Sequence, residues 1–208
     1  MPGDFVWRGD QFLTRAQAIA RDAVEKGGVL FQRAVKDELN KGASNIQSGG
    51  QASAVGDPPN KSSGTLARSI QIDRSLLRNA KNPKVAVGTN VEYARIHEFG
   101  GMIRPVAKKA LAVPIGVQGR RAARNAGSAG IGSLNLTFID RSSKGLPPLL
   151  VKPPTNAEKK GAKTEVLFVL LPSVYMPKRP YMRPTYTRMH DRIVAIIRNT
   201  ILDKLRRK

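Results

Sequence analysis

An α+β fold is predicted for this 208-residue chain by three features of its sequence. Apolar residues recur at helical spacing in a long stretch near each end. Between these stretches lie short apolar runs bounded by Gly, Pro and Asn, the pattern of strands joined by turns. A basic, glycine-containing excursion over residues 117–163 interrupts the second half, and it reads either as a long loop or as a β-ribbon rooted on the sheet. The length suits a single domain spanning 1–208. Apolar residues make up 40% but aromatics only 5%, so the predicted core is modest and aliphatic.

The first helix has a capping box at its start, Thr14-Arg15-Ala16-Gln17, with Thr14 as N-cap. Ile19, Ala23, Leu30, Ala34, Val35 and Leu39 form its apolar stripe. Gly27-Gly28 sits inside it at a cost of about 1 kcal/mol per glycine relative to alanine, which predicts a bend or a closely packed backbone. Lys41-Gly42 closes the helix with a cation and a terminal glycine.

Residues 43–63 are rich in Gly, Ser and Pro and hold almost no large apolar side chain. They bury too little to offset their ordering entropy, so they read as a flexible linker or as an arm that orders on a neighbour. Gly64–Ile70 reads as a short helix. Gln71–Asp73 and Lys84–Gly88 read as paired strands around the Arg78–Pro83 turn.

Tyr93, Ile96 and Phe99 recur at helical spacing, which predicts one apolar side with Arg95 and Glu98 facing elsewhere. Gly100-Gly101 permits positive φ, so the chain can reverse at once into the next segment. Ala110–Ile115, which contains Pro114, reads as a strand.

In the excursion, residues 116–133 show no apolar periodicity, and they place Arg120, Arg121 and Arg124 within five positions. Residues 116–139 contain no Asp or Glu. Leu134–Ile139 suits a strand, Leu146–Pro154 is broken by proline, and Asn156–Lys163 is a lysine-rich tip. Val166–Leu171, the most apolar run in the chain, reads as a central buried strand. Pro177, Pro180 and Pro184 fix an extended connector, after which the last helix starts near Pro184. Its stripe is Tyr186, Met189, Ile193, Ile197, Ile201 and Leu205, and it is expected to cover Val166–Leu171.

The net charge is +21, and it is unevenly placed: +4 over residues 1–100, +10 over 101–163 and +7 over 164–208. Basicity concentrated in the excursion and the last helix points to a polyanionic neighbour, either nucleic acid or acidic protein. The absence of cysteine excludes disulfides and thiolate metal sites. No stretch approaches the roughly 20 apolar residues of a membrane span, and the first residues lack a signal-peptide pattern, so a cytosolic origin is expected.

No catalytic or cofactor-binding pattern emerges. His97 and Glu98 are neighbours in a helix and so do not face one another, which favours a structural role over an acid–base pair. Gly127–Gly132 lacks the lysine and hydroxyl of a phosphate-binding loop. Carboxylates at metal-ligand spacing are absent, and two histidines are too few for a histidine-rich site. Trp7 is a candidate anchor for a partner. Arg120, Arg121 and Arg124 are either a solvated loop or a functional basic patch.

Four motifs occur in an order that resembles a known family. They are SGTLARSI before the first strand pair, YARIHEFGG-x-I-x-P, the following L-x-VP, and MPKRPYMRP ahead of the last helix. Together they are similar to the tail-completion, or virion morphogenesis, proteins of tailed bacteriophages, a class of neck, head–tail joining and tail-terminator-like proteins. The resemblance covers 58–114 and 166–208 and leaves the excursion unaccounted for. It marks Tyr93, His97, Phe99, Gly100, Gly101, Pro114, Arg179 and Pro180 as family-motif positions of structural importance.

The family implies a small antiparallel sheet of four to five strands packed on the N-terminal and C-terminal helices. It also implies a homo-oligomeric ring, with six copies favoured, placed in the virion at the head–tail junction. The implied partners are tail tube or sheath proteins and the head connector, with genomic DNA passing through the lumen. No cofactor, metal or membrane is implied. The competing reading is a basic nucleic-acid-binding protein without sequence preference. It rests on charge alone and is opposed by the few aromatic stacking platforms.

Overall fold

The structure is a computed structural model and describes residues 9–41, 52–61, 63–79, 81–153 and 164–206. Trp7, residues 43–51 and 62 of the proposed arm, and the Asn156–Lys163 tip lie outside the described residues.

In chain order the elements are α1 (Gly9–Lys41), α2 (Thr65–Ser69), β1 (Gln71–Asp73), β2 (Ala86–Gly88), α3 (Glu92–Phe99), β3 (Gly101–Ile103) and β4 (Leu111–Pro114). They continue as α4 (Gly116–Ala126), β5 (Thr137–Ile139), β6 (Leu149–Lys152), β7 (Glu165–Leu171), β8 (Val174–Met176) and α5 (Met182–Arg206). The fold is α+β, and every strand pair is antiparallel. β1 pairs with β2, β3 pairs with β8, and a four-stranded sheet runs in the order β4-β7-β6-β5.

α1 starts at Gly9, ahead of the expected cap. Thr14 therefore lies inside the helix, where its hydroxyl donates to the Asp10 carbonyl one turn back (2.9 Å). A threonine hydroxyl can serve a helix end or the preceding turn, and here it serves the turn.

α1 and α5 form an antiparallel pair. Asp22 bridges Lys204, Phe31 meets the edge of Tyr186, and Glu38 bridges Arg188, so numbers rise along one helix as they fall along the other. The two glycines of α1 serve different neighbours. A Cβ on Gly27 would stand 3.0 Å from Ile197, whereas one on Gly28 would stand 2.6 Å from Val85, beside the β1–β2 pair. Side chains, rather than another backbone, occupy the space the glycines leave, and the helix runs on through them for 33 residues.

Val35, Leu39, Leu66, Ala67, Ile70, Ala94 and Tyr181 form the core between α1, α2, α3 and the start of α5, flanked by Phe31, Val87, Val91 and Met182. Along α5 the buried positions are Thr185 and Thr200, with Met189, Ile193, Ile197 and Ile201 half-buried. Tyr186 and Leu205, at the ends of the expected stripe, are exposed.

The face buried by α3 reverses the expectation. Ala94 and Glu98 are buried, while Tyr93 and Phe99 are exposed. The cause lies at the start of α5. One Glu98 carboxylate oxygen accepts the backbone N–H groups of Tyr181 (2.8 Å) and Met182 (3.0 Å), and the other accepts that of Arg183 (2.9 Å). A helix begins with N–H groups that have no internal partner, and a carboxylate there is favoured by the helix dipole as well. Pro184, next in line, has no N–H to satisfy. The motif glycine at Gly100 (φ 69°) ends α3, and a Cβ there would stand 2.9 Å from the Lys178 nitrogen. Only glycine lets the chain pass this close to the connector that leads into α5.

β7 is the central strand of the larger sheet, as its apolar run predicts, with Phe168 fully buried. Its cover is α4, whereas α5 packs on α1. Of the two expectations for the excursion, the ribbon rooted on the sheet is the one found, with a helix ahead of it that the sequence reading did not include. The excursion supplies α4, then β5 and β6, which complete the sheet against β7.

Candidate docking surface on the basic excursion

The segment that carries Arg120, Arg121 and Arg124 is a helix because its inward face is made of small residues. Gly119 and Ala126 are buried, and Ala122 and Ala123 are half-buried. Alanine and arginine are strong helix formers, so local propensity supports α4 even though no bulky residue marks its stripe. Gly119 lies directly against the Leu167 carbonyl of β7, closer than any Cβ could approach. Ile115 extends the ladder by donating its N–H to the same carbonyl (2.8 Å).

With that face seated on the sheet, the helical turn carries Arg121 and Arg124 to the outer side and leaves Arg120 on the flank with its Nε buried. Arg121 and Arg124 are exposed and Arg120 is half-buried. Beside them, a groove of about 340 Å³ between α4 and the Lys152–Glu165 end of the β6–β7 pair is lined by Arg121, Asn125, Asn135, Lys152 and Glu165. Lys152 and Glu165, paired across β6 and β7, belong to this surface through the sheet register alone. Pro114, at the end of β4 opposite Phe168, anchors the strand from which α4 departs.

The remaining motif residues gather at a second place, around the connector into α5. The Tyr93 ring meets that of His97 edge-on at 5.9 Å, and the Arg183 guanidinium lies over the Phe99 ring at 5.7 Å. The His97 carbonyl accepts the Arg179 N–H (2.6 Å), and Gly100 passes beside Lys178. Burial, assisted by the Arg179 guanidinium, holds the His97 pKa below its ordinary value. Since Glu98 is committed to the start of α5, the two side chains form no acid–base pair. Burial, with the Glu98 charge in support, pushes the Tyr181 phenol up to about 12.

Arg179 itself is buried. Its Nε donates to the Ser53 carbonyl (3.1 Å) and an Nη to the Met176 sulfur (3.4 Å), and Pro180 follows it half-buried. Gly56 adds a backbone bond to the Lys178 carbonyl (3.1 Å), so residues 53–56 lie along the connector. Among the described residues no cluster of His, Asp and Glu suits a metal ion, and no helix is long and apolar enough to cross a membrane.

Residues 10–100, from α1 through α3, match the family model HK97-gp10-like, described as "Bacteriophage HK97-gp10, putative tail-component". This agrees with the tailed-phage resemblance carried by the sequence motifs. No curated protein and no solved structure matches the chain.

Proposed function

We propose that this chain is a structural virion component of a tailed bacteriophage, acting at the head–tail junction. In this reading it assembles into a ring, with six copies favoured, that completes or terminates the tail and docks it to the head connector. The observation that carries the reading is the tail-component family match over residues 10–100, joined to motifs beyond that range that occur in the order of tail-completion proteins. The work done is assembly, not turnover.

The outer face of α4 is the docking surface we assign to a neighbouring virion protein. Charge count supports this over DNA in the lumen. Duplex DNA presents one phosphate per about 1.7 Å, or roughly 24 over a lumen about 40 Å tall. A single copy at +21 nearly matches that number, and six copies exceed it several-fold. Most of the charge therefore has acidic protein or solvent to face. A second reading, a nucleic-acid-binding protein without sequence preference, is favoured by the same arginine face, since guanidiniums contact phosphates without reading bases.

Labelling the protein in virions and imaging the particles tests the proposal. Label at the neck, together with unjoined heads and tails when the gene is silenced, is the expected result. Label confined to the capsid interior, or joined particles without the protein, overturns it.

A further inference from the structure

We propose that the cavity around Arg179 is a receptor for an acidic side chain carried on an extended segment of a different protein. The cavity holds about 360 Å³ and lies between α1, α3, residues 52–61 and 63–66, and the connector. Leu39, Leu66 and Tyr93 supply an apolar wall, and Arg179, His97 and Ser53 supply the polar groups.

Arg179 is only 9% exposed, yet among the described residues no carboxylate pairs with it. Its hydrogen bonds go to a carbonyl and a thioether, both neutral acceptors. A buried guanidinium without a counter-ion is costly, and its fork of donors matches a carboxylate far better than either of these. Glu98, on the neighbouring helix, makes no ion pair with it and instead accepts three backbone N–H groups at the start of α5. Two of the lining residues carry a further polar atom, His97 Nδ1 and Ser53 Oγ, that is buried without a hydrogen-bond partner among the described residues. A neutral imidazole and a hydroxyl can both donate, so a carboxylate would meet three kinds of donor at once. The apolar wall then suits a flanking aliphatic side chain of the same segment.

Charge complementarity selects the occupant. The lining holds Lys61 and Arg179 and no carboxylate, so an acidic segment is attracted to it. The inference does not depend on the phage reading, since it concerns binding by the isolated chain.

The chain has two histidines, His97 at the cavity and His190 on α5, which allows an internal control by NMR of the imidazole resonances. The probe is the peptide acetyl-Gly-Leu-Glu-Leu-Gly-amide, compared with its Gln analogue and with acetyl-Gly-Leu-Gly bearing a free C-terminal carboxylate. The Glu peptide should shift the His97 signals saturably, raise its titration midpoint, and bind at least tenfold more tightly than the other two. Arg179→Met should abolish the response, and Arg179→Lys should keep part of it. Where Arg179→Met fails to fold, the comparison of peptides on the unaltered chain decides. Equal response to the Gln peptide, equal shifts at His190, or no saturable shift overturns the proposal. Preference for the free C-terminal carboxylate overturns the assignment to a side chain.

Discussion

Replacing Glu98 by alanine strips three backbone donors of their acceptor at the start of α5, one of them buried and two partly buried. Leaving buried donors unpaired costs about 1–3 kcal/mol per group, and the last turn of α3 would lose its tie to α5 at the same time. We expect Glu98→Ala to lose about 3 kcal/mol in urea unfolding, and Glu98→Gln, which keeps one acceptor oxygen, to lose clearly less. Equal stability of both variants and the parent would mean that water replaces the carboxylate. Gly119 is the other residue whose role is single and geometric. A methyl group there collides with the Leu167 carbonyl, so Gly119→Ala must push α4 off β7. Overpacking of this kind costs about 1–3 kcal/mol, and hydrogen exchange should show faster opening of β7 amides while α1 stays protected.

The α1–α5 pair is held by apolar packing at its centre and by ion pairs towards its ends. Ile197 lies against Gly27, so Ile197→Asp places a carboxylate between the helices without a partner. A loss of several kcal/mol is expected, seen as a large drop in Tm or as insolubility. At one end Asp22 has its pKa lowered, first by Lys204 at 3.0 Å, against the effect of burial and with help from Lys26. At the other, burial works against ionisation of Glu38, but Lys41 and Arg188 together outweigh it and lower its pKa. A lowered carboxylate pKa stabilises the fold above the unfolded value and loses that contribution as pH falls through the folded value. Stability should therefore decline below about pH 4, and the double variant Asp22→Asn, Glu38→Gln should show a flatter acid limb in urea titrations. On α4, alanine at Arg120, Arg121 and Arg124 should leave the fold intact by circular dichroism and weaken head–tail joining. DNA affinity of the free protein at physiological salt should barely change; lost DNA binding with normal joining would instead favour the nucleic-acid reading.

Across the whole molecule the two ends of the charge distribution have different settings. Residues 1–100 carry a balance of +4 and include the stretch that matches the tail-component family. Residues 101–163 carry +10 and include the excursion, which forms its own helix and half of a four-stranded sheet. A folded addition that keeps Arg121 and Arg124 outward can vary in its partner without disturbing the α1–α5 framework. If assembly proceeds through such a partner, ring formation by the purified chain should be weaker than ring formation with the docking protein present. Mass measurement in solution, with and without that protein, checks this.

Much of the framework was legible in the chain itself. Helical periodicity announced α1 and α5, the apolar run 166–171 announced β7, and the motif order pointed to tailed-phage tail proteins. These features rest on local spacing and side-chain type, which a linear sequence states directly. What tertiary structure decided was the use of residues whose meaning depends on a distant neighbour. Tyr93 and Phe99 have apolar spacing yet lie exposed, because the turn is oriented by Glu98, and Glu98 is buried for the N–H groups of residues 181–183. Thr14 had the chemistry of a cap but not the position. α4 escaped notice because its packing face is glycine and alanine, which seat a helix only when a strand such as β7 stands close by. A hydrophobic pattern records how much a residue can bury; which surface it meets is set by the whole chain's packing, and that is where the arginines of α4 and the buried cation of Arg179 acquire their setting.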